Sequence, residues 1–593
     1  MFKNLLHLKN ILGKRNSRKV LFLVPFFLIS AILETVSIGL IVPLISTLID
    51  DTAIRNFLSS MGTFENVSKN QLQFYILALF LVVYIFKSLY SVLFFYFTQK
   101  FFAIIRGDLH SNLYYYYLNS NYEFHLDHNR SELKRNIDEI GTVFQSYISP
   151  LLLLAVEASI TIGILALLFS TEPKITIIVC FIIGAIASLT YFYLKPTFNK
   201  LGQERVDTSE KLNRHLYEGL GAIKEVKILK KEAYFSHEFS KYMRKFLKLD
   251  LLNGIFNIAS ATFIEVIFVI LAISLMFVVL ISNNLQESLP VLALFALASI
   301  RILQSFKKIY LSLNQLEYSK ESLKLVHRET KNISHVSLQN KDSNKNGIDE
   351  VDFIDKIEVS NISYNFQNSE QIVLDKVSID VSKNSSIAII GESGSGKTTL
   401  VNIFLGLLEV RDGHFLIDGH MSKNLSLLHN KVGYVPQNVY ITDDSIAKNI
   451  AFGVNYDDID FEKVAASLKA AHLFEFVSTL PNGVNTYLGE DGARMSGGQR
   501  QRLGIARALY NDPDIIVLDE VTASLDGTTE KAVMDVIHKM SKSKTIVIIT
   551  HKINTIKACD KIYLLGKGKI QDYGNYEDLY LSNQDFRNLA DDH

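Results

Sequence analysis

Two glycine-rich turns and one pair of adjacent carboxylates carry most of the reactive chemistry in this 593-residue chain. The first turn reads Gly391-Glu392-Ser393-Gly394-Ser395-Gly396-Lys397-Thr398-Thr399. An apolar run, 386–390, precedes it and another, 400–405, follows, so the pattern predicts strand, turn and helix. Glycines at 391, 394 and 396 let backbone N–H groups close around an anion, and the helix N-terminus adds about half a positive charge. Lys397 would reach the β- and γ-phosphates of a nucleotide, and the Thr398 hydroxyl would ligate Mg²⁺. The carboxylates are Asp519 and Glu520, which end the apolar run Ile515-Ile516-Val517-Leu518. That order puts both acids at the C-terminal edge of a buried parallel strand, where ligands sit in open α/β sheets. Asp519 would hold Mg²⁺, directly or through water, and Glu520 would act as general base on an attacking water. The second turn, Ser496-Gly497-Gly498-Gln499, opens another helix and makes a second anion site. One γ-phosphate needs one cradle from its own chain. The second is therefore expected to meet nucleotide held by another copy.

The elements that position these residues begin at about Asp355. Residues 357–359 and 362–366 alternate as an edge strand ending in Tyr364 and Phe366, whose rings could stack on a base or fill a core. His335–Lys356, rich in Asn, Asp, Ser and Lys, reads as a linker. The domain boundaries follow as 1–334, 335–354 and 355–593. With 61 basic and 61 acidic residues the net charge is zero, which removes a global basic field and with it the argument for nucleic acid. The two cysteines, Cys180 and Cys559, fall in different halves and are expected as thiols. No signal-peptide cleavage pattern is expected, so the first apolar segment stays as an anchor.

The first half carries apolar runs at about 20–49, 72–97, 146–170, 173–195, 255–282 and 288–309, each long enough to cross a bilayer. The basic N-terminus (Lys3, Lys9, Lys14, Arg15, Arg18, Lys19) is placed in the cytoplasm by the positive-inside rule. Tryptophan is absent, so tyrosines such as Tyr114–Tyr117 are expected at the cytoplasmic interface. The long connections 98–145 and 196–253 predict helices extended beyond the membrane, joined by short transverse helices at 121–131 and 219–234. A further helix is expected over 311–329, continuing the sixth span. Ionisable residues within the spans are Glu34, Lys87, Glu157, Glu265 and Arg301, with Lys307 and Lys308 at the end of the sixth. Each costs about 2.5–3.5 kcal/mol at the bilayer centre, so they should face a cavity or one another.

Taken together, these motifs resemble those of an ATP-binding-cassette exporter half-transporter, six spans followed by one nucleotide-binding domain. The resemblance implies a helical six-span transmembrane domain of type IV architecture plus an α/β P-loop nucleotide-binding domain. It also implies ATP and Mg²⁺ as cofactors, and two nucleotide domains closing over two ATP molecules. It implies adenine stacking on Phe366, phosphate contacts from Gly391 through Thr399 (Ser393, Gly394, Ser395 and Gly396 among them), and signature contacts from Ser496, Gly497, Gly498 and Gln499. Gln437 takes the position that touches Mg²⁺, Asp526 lies in the D-loop, and His551 contacts the γ-phosphate. Three departures leave the catalytic groups in place: Met495 for leucine, Ala523-Ser524 in inverted order, and Lys552 where arginine is common. A homodimer would have two competent sites; a heterodimer stays open. Residues 33–44 resemble the first span of bacterial lipid-linked oligosaccharide flippases, in which arginines hold a polyprenyl pyrophosphate. Lys87, Arg301 and Lys308 fall at corresponding places, whereas the family's fifth-span arginine has no counterpart near Ala261. The expectation is a bacterial inner-membrane exporter of a lipid-linked saccharide or other anionic lipid; a peptide or hydrophobic drug exporter is the alternative.

Overall fold

The computed structural model describes residues 2–40, 69–171, 173–281, 285–343, 353–366, 369–410, 412–422, 425–521 and 527–591. They divide into two compact units, Met1–Ser120 with His125–Asp342, and Asn121–Phe124 with Ser343–His593. The end of the first expected span, the loop after it and Asp526 lie outside the described residues.

Up to residue 343 the described secondary structure is helical. In order come α1 (Phe2–Leu21), α2 (Val24–Gly39), α3 (Lys69–Leu118), α4 (Tyr122–Asp127) and α5 (Arg130–Val143). A π-helical turn, Phe144–Ile148, leads into α6 (Ser149–Thr171) and α7 (Pro173–Gly221). Then follow α8 (Ile223–Ile228), α9 (Glu232–Ile281), α10 (Leu285–Tyr318) and α11 (Lys320–Ser343). Among the described residues five stretches are long and apolar enough to cross a membrane: Asn16–Gly39, Gln73–Leu118, Arg130–Ser170, Thr176–Gly221 and Glu232–Ile270. The sixth expected span lies within α10, which is continuous across it. Helices α3 and α9 contain 50 residues each, about 75 Å at 1.5 Å per residue. The short α4 and α8 fall where transverse helices were expected. Ala31, Ile160, Ile164, Phe268, Ala298 and Ile302 pack a common core, while Phe74, Leu81, Ile85 and Phe95 stay exposed. Apolar surface on that scale belongs in hydrocarbon rather than water.

Three expectations are corrected. The helix over 311–329 is interrupted: α10 ends at Tyr318 and α11 begins at Lys320. Gly202 of α7 lies at the break, where a Cβ would stand 1.9 Å from the Tyr318 carbonyl oxygen. Ser319 Oγ, between the two helices, donates to the backbone oxygens of Gln315 and Ser146. Tyr116 and Tyr117 do not form an interfacial belt; both are buried, and Tyr117 Oη donates to Glu329 Oε2 at 3.1 Å. Tyr114 and Tyr115, on the same turn of α3, are exposed. Helix α11 runs nine residues past 334, to Ser343, into the polar stretch read as linker.

The second unit holds ten strands among its described residues. A four-stranded antiparallel sheet has the order β2-β1-β4-β5, from β1 (Lys356–Tyr364), β2 (Leu374–Ser382), β4 (Asp412–Ile417) and β5 (His420–Ser422). β1 is therefore an interior strand, not the edge expected: it pairs with β2 on one side and β4 on the other. Its alternating burial places Ile357, Val359, Ile362 and Tyr364 in the core. The main sheet has the order β10-β9-β3-β8-β7-β6. It is built from β3 (Ser386–Ile390), β6 (Val432–Val435), β7 (Ile515–Asp519), β8 (Thr545–Ile549), β9 (Lys561–Gly566) and an antiparallel β10 (Lys569–Gly574). Strands β3, β7 and β8 are buried throughout, which is why their sequences are continuous apolar runs. Alternate residues enter opposite cores: Ile390, Leu518 and Ile548 one, Ile389, Val517 and Ile549 the other.

Candidate functional site

Parallel pairing decides where the reactive groups meet. Val435 of β6 lies beside Leu518 of β7, Asp519 beside Ile549 of β8, and Ile389 of β3 beside Ile549. Four adjacent strands thus end at one edge of the sheet, and within two residues of those ends stand Gln437, Glu520, His551 and Gly391. Glu520 N donates to Ile549 O at 2.8 Å, which carries the ladder one residue past β7. Glu520 itself has φ of 49°, a left-handed backbone that costs a non-glycine residue energy. Its carboxylate accepts from Gln437 Nε2 at 2.6 Å through Oε2, while Oε1 lies 3.4 Å from His551 Nδ1. The three residues expected to be catalytic are brought together.

The phosphate loop joins β3 to α12 (Lys397–Phe404), with Gly396 as the left-handed residue before the helix. A Cβ on Gly391 would stand 2.0 Å from the Leu565 carbonyl oxygen, so no larger residue fits against β9 there. Lys397 Nζ donates to the backbone oxygens of Gly391 and Glu392, both at 2.8 Å, folding back over its own loop. Burial pushes the Lys397 ammonium pKa down, opposed by Glu520 and Asp519. Ser395 is buried with its hydroxyl unpartnered, whereas Ser393, Gly394 and Thr398 are exposed along the loop. Burial first, and then Glu520 beside it, raise the Asp519 carboxyl above the usual range. A desolvated acid with a second carboxylate beside it is a donor set that a divalent cation relieves. Sequence reasoning gave Tyr434 no role; its hydroxyl reaches Asp519 Oδ2 at 3.4 Å, and burial pushes its pKa up so that it remains a donor. Its place in β6, opposite the end of β7, was the available signal. Phe366 is half-buried and meets Tyr364 edge to face at 5.2 Å between ring centroids.

The second turn caps α13 (Gly497–Leu509). Ser496 Oγ accepts from Gln499 N at 3.2 Å, and Gln499 Oε1 accepts from Ser496 N at 2.8 Å, a reciprocal capping box. This fixes the backbone of Gly497 and Gly498 with their N–H groups at the helix start.

In the first unit the three cations singled out in the sequence join one ion-pair chain across α2, α3, α6 and α10. Lys87 Nζ meets Glu34 Oε2 at 2.8 Å, and Arg301 Nε meets Glu34 Oε1 at 2.5 Å. Arg301 Nη1 reaches Glu157 Oε2 at 3.2 Å, and Lys308 Nζ reaches Glu157 Oε1 at 2.6 Å. Ser305 Oγ completes the cluster at 2.8 Å from Glu157 Oε2. Glu265 pairs separately with Lys307.

A bundle of membrane-length helices and a phosphate-loop sheet in one chain define a membrane protein with its own nucleotide-binding domain. Two family models match it: the ABC transporter transmembrane region over residues 21–306, and the ABC transporter model over 374–523. The chain belongs to the ABC transporter family. Among curated proteins it is similar to the ATP-dependent lipid A-core flippase of Haemophilus influenzae strain Rd, at 28% identity over 73% of each chain. It is 38% identical to the Cupriavidus pinatubonensis protein of the same name, over 37% of this chain and 38% of that one. The match thus spans about two fifths of the length of the first such relatives. Among solved structures, a bacterial Atm1-family ABC exporter with ATP bound superposes with a TM-score of 0.76, covering 98% of this chain and 99% of its own at 19% identity. The fold is that of an ABC exporter.

Proposed function

We propose that the chain is one half of an ATP-driven exporter that flips a lipid-linked saccharide or another anionic lipid across the bacterial inner membrane. The reading is supported above all by the convergence of Lys397, Asp519, Glu520, Gln437 and His551 on the ends of four neighbouring strands. The lipid part draws on the relatives named lipid A-core flippase. The N-terminus and the nucleotide domain would be cytoplasmic, and two identical chains would work as a pair.

In the hydrolytic step a water attacks the γ-phosphorus and the bond to the β–γ bridging oxygen breaks, giving ADP and phosphate. Glu520 takes the proton of the attacking water. Its two oxygens are already aimed by Gln437 Nε2 and His551 Nδ1, so little reorganisation is needed. Lys397, freed from its own loop carbonyls, turns to the phosphates, and the N–H groups of residues 394–399 surround them. Thr398, Gln437 and Asp519 would hold Mg²⁺, which when bound neutralises charge on the β- and γ-phosphates. Asp526 and Phe366 complete the contacts, to the dimer partner and to adenine. Ser496 through Gln499 would face nucleotide in the second copy. Cysteines at Gly394 and Ser496, with Cys180 and Cys559 replaced, test this: ATP should promote a bond between chains. A bond formed only within one chain would overturn the paired arrangement.

A peptide or hydrophobic drug exporter is the second reading. One observation favours it: Lys87, Arg301 and Lys308 all have carboxylate partners within their own chain. Neutralising Arg301 and Lys308 together decides between them. A head-group role predicts lost stimulation of ATPase by lipid-linked saccharide with the basal rate kept; parallel loss of both rates assigns these cations to helix packing.

A further inference from the structure

We infer that Gln501 is a positioning residue for hydrolysis: from the second turn of the signature helix it holds the backbone of Gln437 where its side chain meets Glu520. The inference rests on the reading of Glu520 as the base and names a residue that reading does not use.

Gln501 is 6% exposed, an uncommon burial for a glutamine in the first half of a helix whose cap is solvent-accessible. Its Nε2 donates to the Gln437 carbonyl oxygen at 2.6 Å, while its Oε1 has no hydrogen-bond partner. Packing alone would be served as well by an apolar side chain of the same length. The amide earns its place through one directed bond, and that bond ends on the residue that grips the base. Gln437 then donates from its side chain to Glu520 Oε2 at 2.6 Å, so a single residue separates α13 from the general base.

Two further contacts continue this line along the same helix. One turn on, Gly504 lies so close to the Val439 side chain that a Cβ would stand 2.6 Å from Val439 Cγ2. A turn later Arg507 Nη1 donates to Tyr440 O at 2.8 Å. Its Nε donates to Asn449 O at 2.7 Å, and its guanidinium lies 4.9 Å from the centre of the Phe452 ring. Residues 501, 504 and 507 therefore track residues 437, 439 and 440 in parallel. The segment after β6 thus follows the helix through three successive contacts. Ser496, at the cap of this helix, and Gln437, at the head of that segment, are thereby both tied to α13. Whatever moves the signature turn moves the donor that aims Glu520.

The test uses the full chain purified in nanodiscs. Gln501→Met keeps length and apolar volume but removes the donor. Its kcat for ATP should fall about ten- to a hundredfold, the scale of a misplaced catalytic contact, with KM and nucleotide binding within about twofold of wild type. Combined with Gln437→Ala it should add little further loss, because both act through one bond. Gly504→Ala presses on Val439 from the helix side and should reproduce the kcat loss with Gln501 intact; it serves if Gln501→Met does not fold. A wild-type kcat in either folded variant, or losses that multiply in the double variant, would overturn the inference. Glu520→Gln separates the two layers: if it still hydrolyses ATP the underlying reading fails, and if it is inactive while Gln501→Met is not, only the role of Gln501 fails.

Discussion

The two units use buried charge in opposite ways. In the membrane unit Glu34 and Glu157 are neutralised by Lys87, Arg301 and Lys308 of other helices, so their charges serve cohesion. In the nucleotide unit Asp519 and Glu520 stand side by side with Lys397 turned toward its own loop, and the Asp519 carboxyl is raised by burial and repulsion. A paired charge adds to cohesion; an unbalanced one is held ready for a ligand. Removing an acid should therefore have opposite consequences in the two places.

The largest effect is expected at Glu520. Glu520→Gln should lower ATP hydrolysis by about 10²–10⁴-fold, the usual contribution of a positioned base, with ATP binding kept. Phosphate release and nucleotide binding measure the two, and the unfolding temperature should not drop. Glu157→Ala should do the reverse and destabilise the helical unit. Breaking a buried pair costs about 3–5 kcal/mol, and the lower end applies because the Lys308 side chain is 47% exposed. Thermal unfolding in nanodiscs reads it, and an unchanged transition would remove the contrast between the units.

A smaller effect follows from Asp519. Its folded-state pKa is raised, so its stabilising protonated form is complete below the unfolded value of about 3.9 and is lost as pH rises through the folded value. Asp519→Asn should then unfold at a higher temperature than wild type at neutral pH without nucleotide, with the gap closing in acid. A constant gap would refute the electrostatic cause. Asp418 supplies the opposite sign and the smallest effect. Burial pushes its carboxyl up, but the N–H groups of Ile354, Asp355 and Lys356 outweigh that and hold it below the usual range. Its contribution is present above about pH 3.9 and lost as pH falls through the lowered value, so Asp418→Asn should flatten the acid limb of the stability curve.

Legibility in the sequence followed the same divide. Gly391–Thr399, Asp519, Glu520 and the Ser496 cap could be read because each is a short stretch whose local geometry fixes its chemistry. The interior position of β1 could not be, since a half-buried alternation looks alike on edge and central strands. The charged residues of the spans were visible singly, but Arg301 meets carboxylates 267 and 144 residues away, and no local pattern pairs them. Gln501 lies just past the signature turn; its partner, a backbone oxygen 64 residues earlier, has no side-chain signature at all. The break at Ser319 likewise depends on Gly202 pressing against it from another helix.

The great length of α3 and α9 has a mechanical corollary. Neither contains a proline, and each runs unbroken through 50 residues, so each behaves as a stiff rod. A tilt of about 5° at one end of such a rod displaces the other by about 6 Å, roughly one helical turn. Small rearrangements in the bilayer are thereby magnified into steps as large as the spacing between successive ridges of a helix.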